Sequence, residues 1–242
     1  VISAFSVNFT LAASGRLEGG RSQVLPRVVV ASGAAALGVC GLQALPTDSM
    51  TLSVVAGGTF AVLVITGAHV MLPARTLTLR RGAPSGIALR GLLAGSFFGV
   101  EAWVPLLLIE QGGMSADRAG FLIGLGGVCW VAGAWLHGRQ RTDDGSAERG
   151  RGLLSACAVI VVGMLALTVA AAVSAAPAII GVSWALACFG MGAALPVVSI
   201  LVFDQTSATG YAEASVGLQS SDALGCAAVV ALCGLLFAVV HP

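Results

Sequence analysis

The chain has 242 residues, of which 57% are hydrophobic and 10% are charged, and its formal net charge is +1. With a mean hydropathy of +0.96, it is far more apolar than an ordinary soluble domain, which predicts an integral membrane protein. The near-zero charge gives no indication of a protein that binds nucleic acid or of a polybasic membrane patch. Every basic side chain is an arginine, so the lysine that a retinal Schiff base requires is missing.

Apolar runs of membrane-spanning length dominate the chain. A spanning helix needs about 20 such residues to cross about 30 Å of hydrocarbon, and in lipid each run must be helical. The runs are approximately Val28 to Leu45, Thr51 to Leu72, Ser85 to Ile109, Ala116 to His137, Gly152 to Val173, Ala178 to Phe203 and Ala214 to Val240. The preceding stretch VISAFSVNFTLAAS is too short to span and lacks the basic residues of a signal peptide. The sequence therefore predicts an all-α polytopic transmembrane helix bundle of about seven spans plus a partial N-terminal helix.

Arginine is concentrated in alternate loops, and cytoplasmic loops are enriched in it. The loops expected in the cytoplasm carry Arg16, Arg21 and Arg27, then Arg75, Arg80, Arg81 and Arg90, and then Arg139, Arg141, Arg149 and Arg151. The connections PTDSM, EQGGMSADR and SAAP contain only Arg118 and are expected outside. The loop DQTSATGYAE has no arginine and is assigned to the cytoplasm by parity alone.

Cysteines and catalytic motifs do not indicate a metal site, a disulfide framework, a cofactor or an enzyme. Each cysteine stands singly in an apolar run, without a CxxC pair, which favours a packing role. The cysteines are Cys40, Cys129, Cys157, Cys188, Cys226 and Cys233. No GxSxG, HExxH or paired-aspartate motif occurs in any span, so we do not predict catalysis.

The stretch FFGVEAWVPLLLIE places one acid, Glu101, within the third span. If that span is centred near Phe98, Glu101 lies roughly 5 Å outward of the midplane. Intramembrane acids are costly and mark proton or substrate pathways, although a structural Glu paired to another helix is the alternative. Trp103 could stack on an aromatic or cationic substrate and Pro105 frees a helical carbonyl, but packing and kinking are the better interpretations of these two.

Two further charges, Arg90 and Asp222, are candidate pathway residues. Arg90 precedes Glu101 by three helical turns, which puts both on one face within about 20°, but too far apart to touch. Asp222 belongs to a polar stripe in the last span with Ser215, Gln219 and Cys226. The stripe predicts either a hydrogen-bonded seam between helices or a transport pathway, and the sequence leaves both open.

Small residues at four-residue spacing predict close helix packing. Gly120 and Gly124 form a GxxxG pair, and the segment GMGAA at residues 190–194 is equally small. Pro196, just after that segment, suggests a kink.

The run GIALRGLLAGSFFGVEAWVPLLLIEQGGMSADRAGFLIGLGGVCWVAGAWLHGR resembles the seventh and eighth helices of major facilitator superfamily transporters, particularly actinobacterial relatives of the fourteen-helix drug/proton antiporters. The later run EASVGLQSSDALGCAAVVALCGLLF is similar to that family's penultimate helix. The resemblance implies that residues 1–82 hold the end of an upstream helix and two linker helices. It implies that residues 83–242 form the C-terminal transporter half without its last helix.

The function that this resemblance implies is proton-coupled export of small hydrophobic or cationic compounds by alternating access. The expected partners are membrane lipid, the substrate, protons and an N-terminal half, with no nucleic acid, in a bacterial plasma membrane. Because residue 1 is not Met and the spans fall one short of a sixfold set, the chain is expected to be a fragment. A non-transporting helix-bundle scaffold or an inactive fragment is the alternative, although a scaffold has less need of two buried acids.

The orientation derived from arginine can be tested by cysteine-accessibility labelling in a cysteine-free background. Cysteines at Ser85 and Gly145 should react only from the cytoplasm, and cysteines at Asp48 and Ala176 only from outside. The opposite pattern of labelling would overturn the orientation.

Overall fold

The computed structural model describes residues 75–139 and 146–240, together with residues 55, 58, 59, 62, 66, 69, 72 and 73. Within these residues every regular element is a helix, as the sequence predicts. The helices are α1 (Ala83–Glu101), α2 (Val104–Glu110), α3 (Ala116–Arg139), α4 (Ser146–Ala172), α5 (Pro177–Asp204) and α6 (Tyr211–Val240), with a 3₁₀ turn at Ala208–Gly210 before α6.

The helix ends follow local sequence signals. Pro177 occupies the first turn of α5, where a missing backbone N–H costs nothing. Asp117 lies in the first turn of α3, where a carboxylate interacts favourably with the helix dipole. Gly113, with φ of +60°, provides the left-handed residue in the turn between α2 and α3.

Within the part of the chain that the structure describes, four helical segments are long and apolar enough to cross a membrane. They are Ala83–Glu110, Ala116–Gly138, Glu148–Ala172 and Pro177–Asp204. They correspond to the third to sixth predicted runs, and the seventh run lies within α6. The first run and the N-terminal stretch lie outside the described residues, while the second is described only at scattered positions, all of them helical between residues 55 and 69. The division of the chain at residues 82 and 83 stays a prediction.

The described residues form two compact units. The first contains residues up to Gly99 and from Ala208, and the second contains Val100–Ser207.

In the first unit, α1 and α6 run parallel along a line of glycines. A Cβ atom added to Gly95 would lie 2.6 Å from the carbonyl oxygen of Gly225, closer than real Cβ contacts. Gly91 lies against Ser221, and Gly99 lies against Val229. A step of four residues along α1 therefore corresponds to a step of four residues along α6. Because the partner residue number rises with the α1 residue number, the two helices point the same way.

In the second unit, α5 packs against both α3 and α4. Gly192 of α5 approaches the backbone of Trp130 on α3, and Gly163 of α4 approaches Ala187 of α5. Along the α3–α5 contact, Leu122 lies against Gly181 and Trp130 lies against Gly192. Because the residue numbers rise together on both helices, α3 and α5 are parallel. Between α4 and α5 the partner numbers change in opposite directions, because Gly163 contacts Ala187 whereas Ile160 contacts Gly190. These two helices are therefore antiparallel. These directions agree with helices that cross a membrane alternately.

Small residues line many of the helix contacts, and many large apolar side chains are exposed, although some, such as Trp184 and Phe97, are buried. Phe121, Leu154 and Val182 are 69%, 71% and 70% exposed. By contrast, Gly190, Gly192, Ala193 and Ala194 are buried. A soluble protein would bury its large apolar side chains, whereas helices in lipid associate through small residues and leave large ones to the hydrocarbon. This arrangement is compatible with a membrane-embedded protein.

The glycine predictions have different outcomes. The GMGAA segment does lie in close helix contacts of α5, and α5 continues through Pro196. Gly120 and Gly124 have no neighbouring atom within 4 Å of an added Cβ among the described residues. The predicted GxxxG contact is therefore wrong for these residues, because they lie on an exposed part of α3. Gly91, Gly95 and Gly99 of α1, which have the same four-residue spacing, do make close contacts with α6.

Replacing Gly95 by Val should destabilise the protein by about 1–3 kcal/mol, because overpacking forces two backbones apart. Gly124→Val is the matched control, since it adds the same side chain to a helix surface with open space. Thermal unfolding in detergent measures both. Equal melting temperatures for the two variants would contradict the α1–α6 contact.

Candidate functional site

Glu101 is the last residue of α1 and stands at an interruption in the third predicted span. The helix stops there, and α2 begins at Val104. The Trp103 N–H donates a hydrogen bond to the Val100 carbonyl oxygen at 2.9 Å. In a continuous helix Pro105 would have to donate to the Glu101 carbonyl, which it cannot do because it lacks an N–H. The predicted single helix from Ser85 to Ile109 is therefore two helices, and the break agrees with the kinking role expected of Pro105.

The Glu101 side chain is half-buried and has no hydrogen bond or ion pair among the described residues. Val104 and Leu108, which follow it on α2, are almost completely buried. The carboxyl group thus lies beside an apolar core without a fixed countercharge in this part of the chain. A carboxyl group in such a position can bind or release a proton when its surroundings change.

One thiol, that of Cys188, belongs to the surroundings of Glu101, and the sequence did not indicate this proximity. The Cys188 thiol of α5 lies within electrostatic range of Glu101 and of Cys129 on α3. An added Cβ at Gly126 would lie 2.8 Å from the Cys188 sulfur and 2.7 Å from Trp184 Nε1. The missing side chain at Gly126 therefore allows Cys188 and Trp184 to approach α3. No spacing rule relates these residues along the sequence, so only the packing of α3 on α5 reveals the cluster.

Asp222 forms an ion pair with Arg90 inside the α1–α6 contact. Arg90 Nε lies 2.9 Å from each carboxylate oxygen, and Nη2 lies 2.8 Å from Oδ2. The Arg90 and Asp222 side chains are 19% and 26% exposed, so the ion pair is largely buried. A planar guanidinium that contacts both oxygens holds the two helices in one register.

Neighbouring polar groups reinforce the same contact. The Ser221 hydroxyl donates to the Ile87 carbonyl oxygen at 2.6 Å, and the Cys226 thiol lies 3.6 Å from the Ala94 carbonyl oxygen. These are the interactions expected of a seam between helices. The assignment of Arg90 and Asp222 to a transport pathway stays a prediction.

The other candidates occupy different surroundings. Gln219 is exposed, while Ser220 and Ser221 beside it are buried. The polar face of α6 that meets α1 is therefore rotated from the predicted stripe, because it includes Ser221 and leaves Gln219 out. Trp103 is half-buried at the start of α2. Glu101 and Trp103 belong to the second unit, and Arg90, Gln219 and Asp222 belong to the first.

The line of glycines along which α1 packs against α6, here called the glycine seam, could have been predicted from the sequence. Gly91, Gly95 and Gly99 form a doubled GxxxG pattern, which is a known signal for close helix packing. Their partners Ser221 and Gly225 lie too far along the chain for any spacing rule to identify.

Three other observations bear on function. Among the described residues, no three His, Cys, Asp or Glu side chains are grouped as a metal ion would require. Arg149, in the first turn of α4, pairs with Asp204, the last residue of α5. Comparison with family models, with curated proteins and with solved structures gives no match for the chain.

Removing one member of the Arg90–Asp222 pair should destabilise the protein by about 2–4 kcal/mol, because it leaves a largely buried charge without its partner. Arg90→Gln and Asp222→Asn are the single variants, and the double variant should lose less than the sum of the two. Thermal unfolding in detergent gives the coupling free energy. Strictly additive losses would show that the pair makes no energetic contribution.

Proposed function

We propose that this chain is the C-terminal part of a proton-coupled secondary transporter of the major facilitator type, and that Glu101 is its titrating acid. Substrates would be small hydrophobic or cationic compounds, exported across a bacterial plasma membrane. The single observation that carries the proposal is the Glu101 carboxyl group, which lies without hydrogen bond or ion pair among the described residues, directly at a break in an apolar helix.

Broken helices have a specific use in transporters. Irregular backbone at membrane depth is tolerated only where it is buried in protein or lines a cavity, and transporter sites often use such breaks near the midplane. In the proposed cycle Glu101 binds a proton when it faces outward and releases it inward after the halves rock. The carboxylate then offers a negative charge to a cationic substrate.

The Arg90–Asp222 ion pair in the first unit supports different roles for the two acids, Glu101 and Asp222. Arg90 compensates the charge of Asp222, so proton binding at Asp222 would have to break a bidentate contact. Glu101 has no such contact to break in the described part of the chain. We therefore assign proton coupling to Glu101 and helix alignment to Asp222. Trp103 is a candidate to stack on the substrate.

A membrane scaffold is the second candidate function, and the glycine seams favour it. Close packing accounts for Gly95, Gly192 and Gly225 without any transport step. Glu101 distinguishes the two candidates, because a scaffold does not use an acid that titrates with substrate.

The deciding experiment measures proton release on addition of substrate, using lipophilic cations as probes. Because the proposal places the substrate between two halves, it is carried out on the intact transporter, in detergent. Glu101→Gln retains size and hydrogen bonding but cannot titrate, so proton release and gradient-driven efflux should be lost. Cationic substrates should also bind more weakly, whereas exchange of neutral substrates should persist.

Glu110→Gln is the matched control, since Glu110 ends α2 of the same predicted span and is exposed. It should release protons as the parent does, and Asp222→Asn should lose thermal stability but retain the pH dependence of flux. Normal release by Glu101→Gln with none by Asp222→Asn would transfer the role to Asp222. Normal release by both would make Glu101 structural and favour the scaffold.

A further inference from the structure

Two cysteines stand at the contact between α3 and α5. Cys188 of α5 is 3% exposed, and its sulfur lies 2.8 Å from the position that a Cβ atom at Gly126 of α3 would occupy. Cys129 follows Gly126 by three residues on α3, is half-buried and lies within electrostatic range of the Cys188 thiol. The two thiols therefore belong to one region of the helix contact.

The packing of the two helices puts these cysteines at the same level. Gly126 lies against Cys188, and Gly133 lies against Phe189. Because Cys129 falls between Gly126 and Gly133, it is level with the turn of α5 that holds Cys188. Cβ atoms three residues apart on a helix surface are about 5–6 Å apart, and helical side chains tilt toward the N-terminus. The Cys129 thiol thus leans back over the turn of α3 on which the Cys188 sulfur rests.

The number of ligands restricts the ion that such a pair can hold. Thiolates prefer soft metal ions. In the part of the chain that the structure describes, no third His, Cys, Asp or Glu is grouped with these thiols. A site with two ligands does not suit zinc, which takes four, and it favours an ion with linear two-fold coordination, such as Cu(I), Ag(I) or Hg(II).

Charge distinguishes between these ions. Two thiolates form an anion with Cu(I) or Ag(I), but a neutral complex with Hg(II). A buried charge without a partner is costly in apolar surroundings. The Glu101 carboxyl group also lies within electrostatic range of Cys188, where it would disfavour a further negative charge. The divalent ion is therefore the one that fits this site.

We propose that Cys129 and Cys188 form a two-coordinate site for Hg(II). Each thiol releases its proton to the buffer as its sulfur binds the ion, so two S–H bonds break, two S–Hg bonds form and no group is oxidised or reduced. The half-buried Cys129 binds the ion first, and the buried Cys188 completes the site. The ion then joins α3 to α5. This proposal does not depend on transport, so its test is separate from that of Glu101.

The test uses the full 242-residue chain with serine at the four other cysteines, which are Cys40, Cys157, Cys226 and Cys233. This chain is purified in detergent, loaded with mercuric chloride and challenged with excess glutathione, and the retained adduct is weighed by intact mass spectrometry. The adduct should contain one mercury atom in place of two hydrogen atoms. Adding Cys129→Ser or Cys188→Ser should lower retention about a hundredfold, because a single thiol loses the gain from binding at two points.

A matched control chain retains Cys157 and Cys188 and has serine at the other four cysteines. Cys157 belongs to α4, which meets α5 at Ala187 and Gly190. These two residues lie about 100° and 200° around α5 from Cys188, so the control carries two thiols in the second unit that do not share a site. It should retain mercury no better than a chain with a single cysteine.

Three results would overturn the proposal. They are an adduct that has lost only one hydrogen atom, equal retention by the control chain, and retention of Ag(I) equal to that of Hg(II). Circular dichroism checks the fold of each variant. If the chain with four serines does not fold, Cys129→Ser and Cys188→Ser in the otherwise native chain should each retain one mercury atom fewer than the parent. An unchanged count would then contradict the site.

Discussion

The close approach of helix backbones at small residues is the constraint on which the described structure depends. In lipid, apolar side chains gain nothing by leaving the hydrocarbon, so helices associate through van der Waals contact and interhelical hydrogen bonds. Gly95 and Gly225 bring α1 and α6 together, and Gly192 brings α5 against α3. At that separation the Ser221 hydroxyl and the Arg90 guanidinium can reach partners on the facing helix. The polar contacts therefore follow from the glycines.

The two acids Glu101 and Asp222 illustrate how position decides the surroundings of one chemical group. Asp222 lies on a helix face that meets an arginine, so its charge is compensated and contributes to helix alignment. Glu101 lies at a helix end created by Pro105, where the described residues provide no such partner. In the proposed function, the first arrangement aligns two helices and the second exchanges a proton. This difference is the basis of the proposed transport mechanism.

Much of the candidate site could be anticipated, but its pairings could not. Glu101 was conspicuous because a carboxylate is costly in an apolar run, and Pro105 indicated the break. The pairing of Arg90 with Asp222 joins residues from opposite ends of the described chain, and the approach of Cys188 to Glu101 joins two different helices. Periodicity relates residues only within one helix, so it could not connect them. Periodicity did place Asp222 and Cys226 on one face of α6, the face that meets α1, but Ser221 and not Gln219 joins them there.

The sequence by itself determined the helical class and the approximate limits of four long apolar helices, because a polypeptide in hydrocarbon must satisfy its own backbone hydrogen bonds. It also contained several sets of small residues at four-residue spacing, of which Gly120 and Gly124 were predicted to be in contact and the glycines of α1 were not. Only the tertiary structure decided which of them are in contact: the glycines of α1 meet α6, whereas Gly120 and Gly124 remain open. Spacing marks a helix face as suitable for contact, but the partner on that face depends on how distant helices pack in three dimensions.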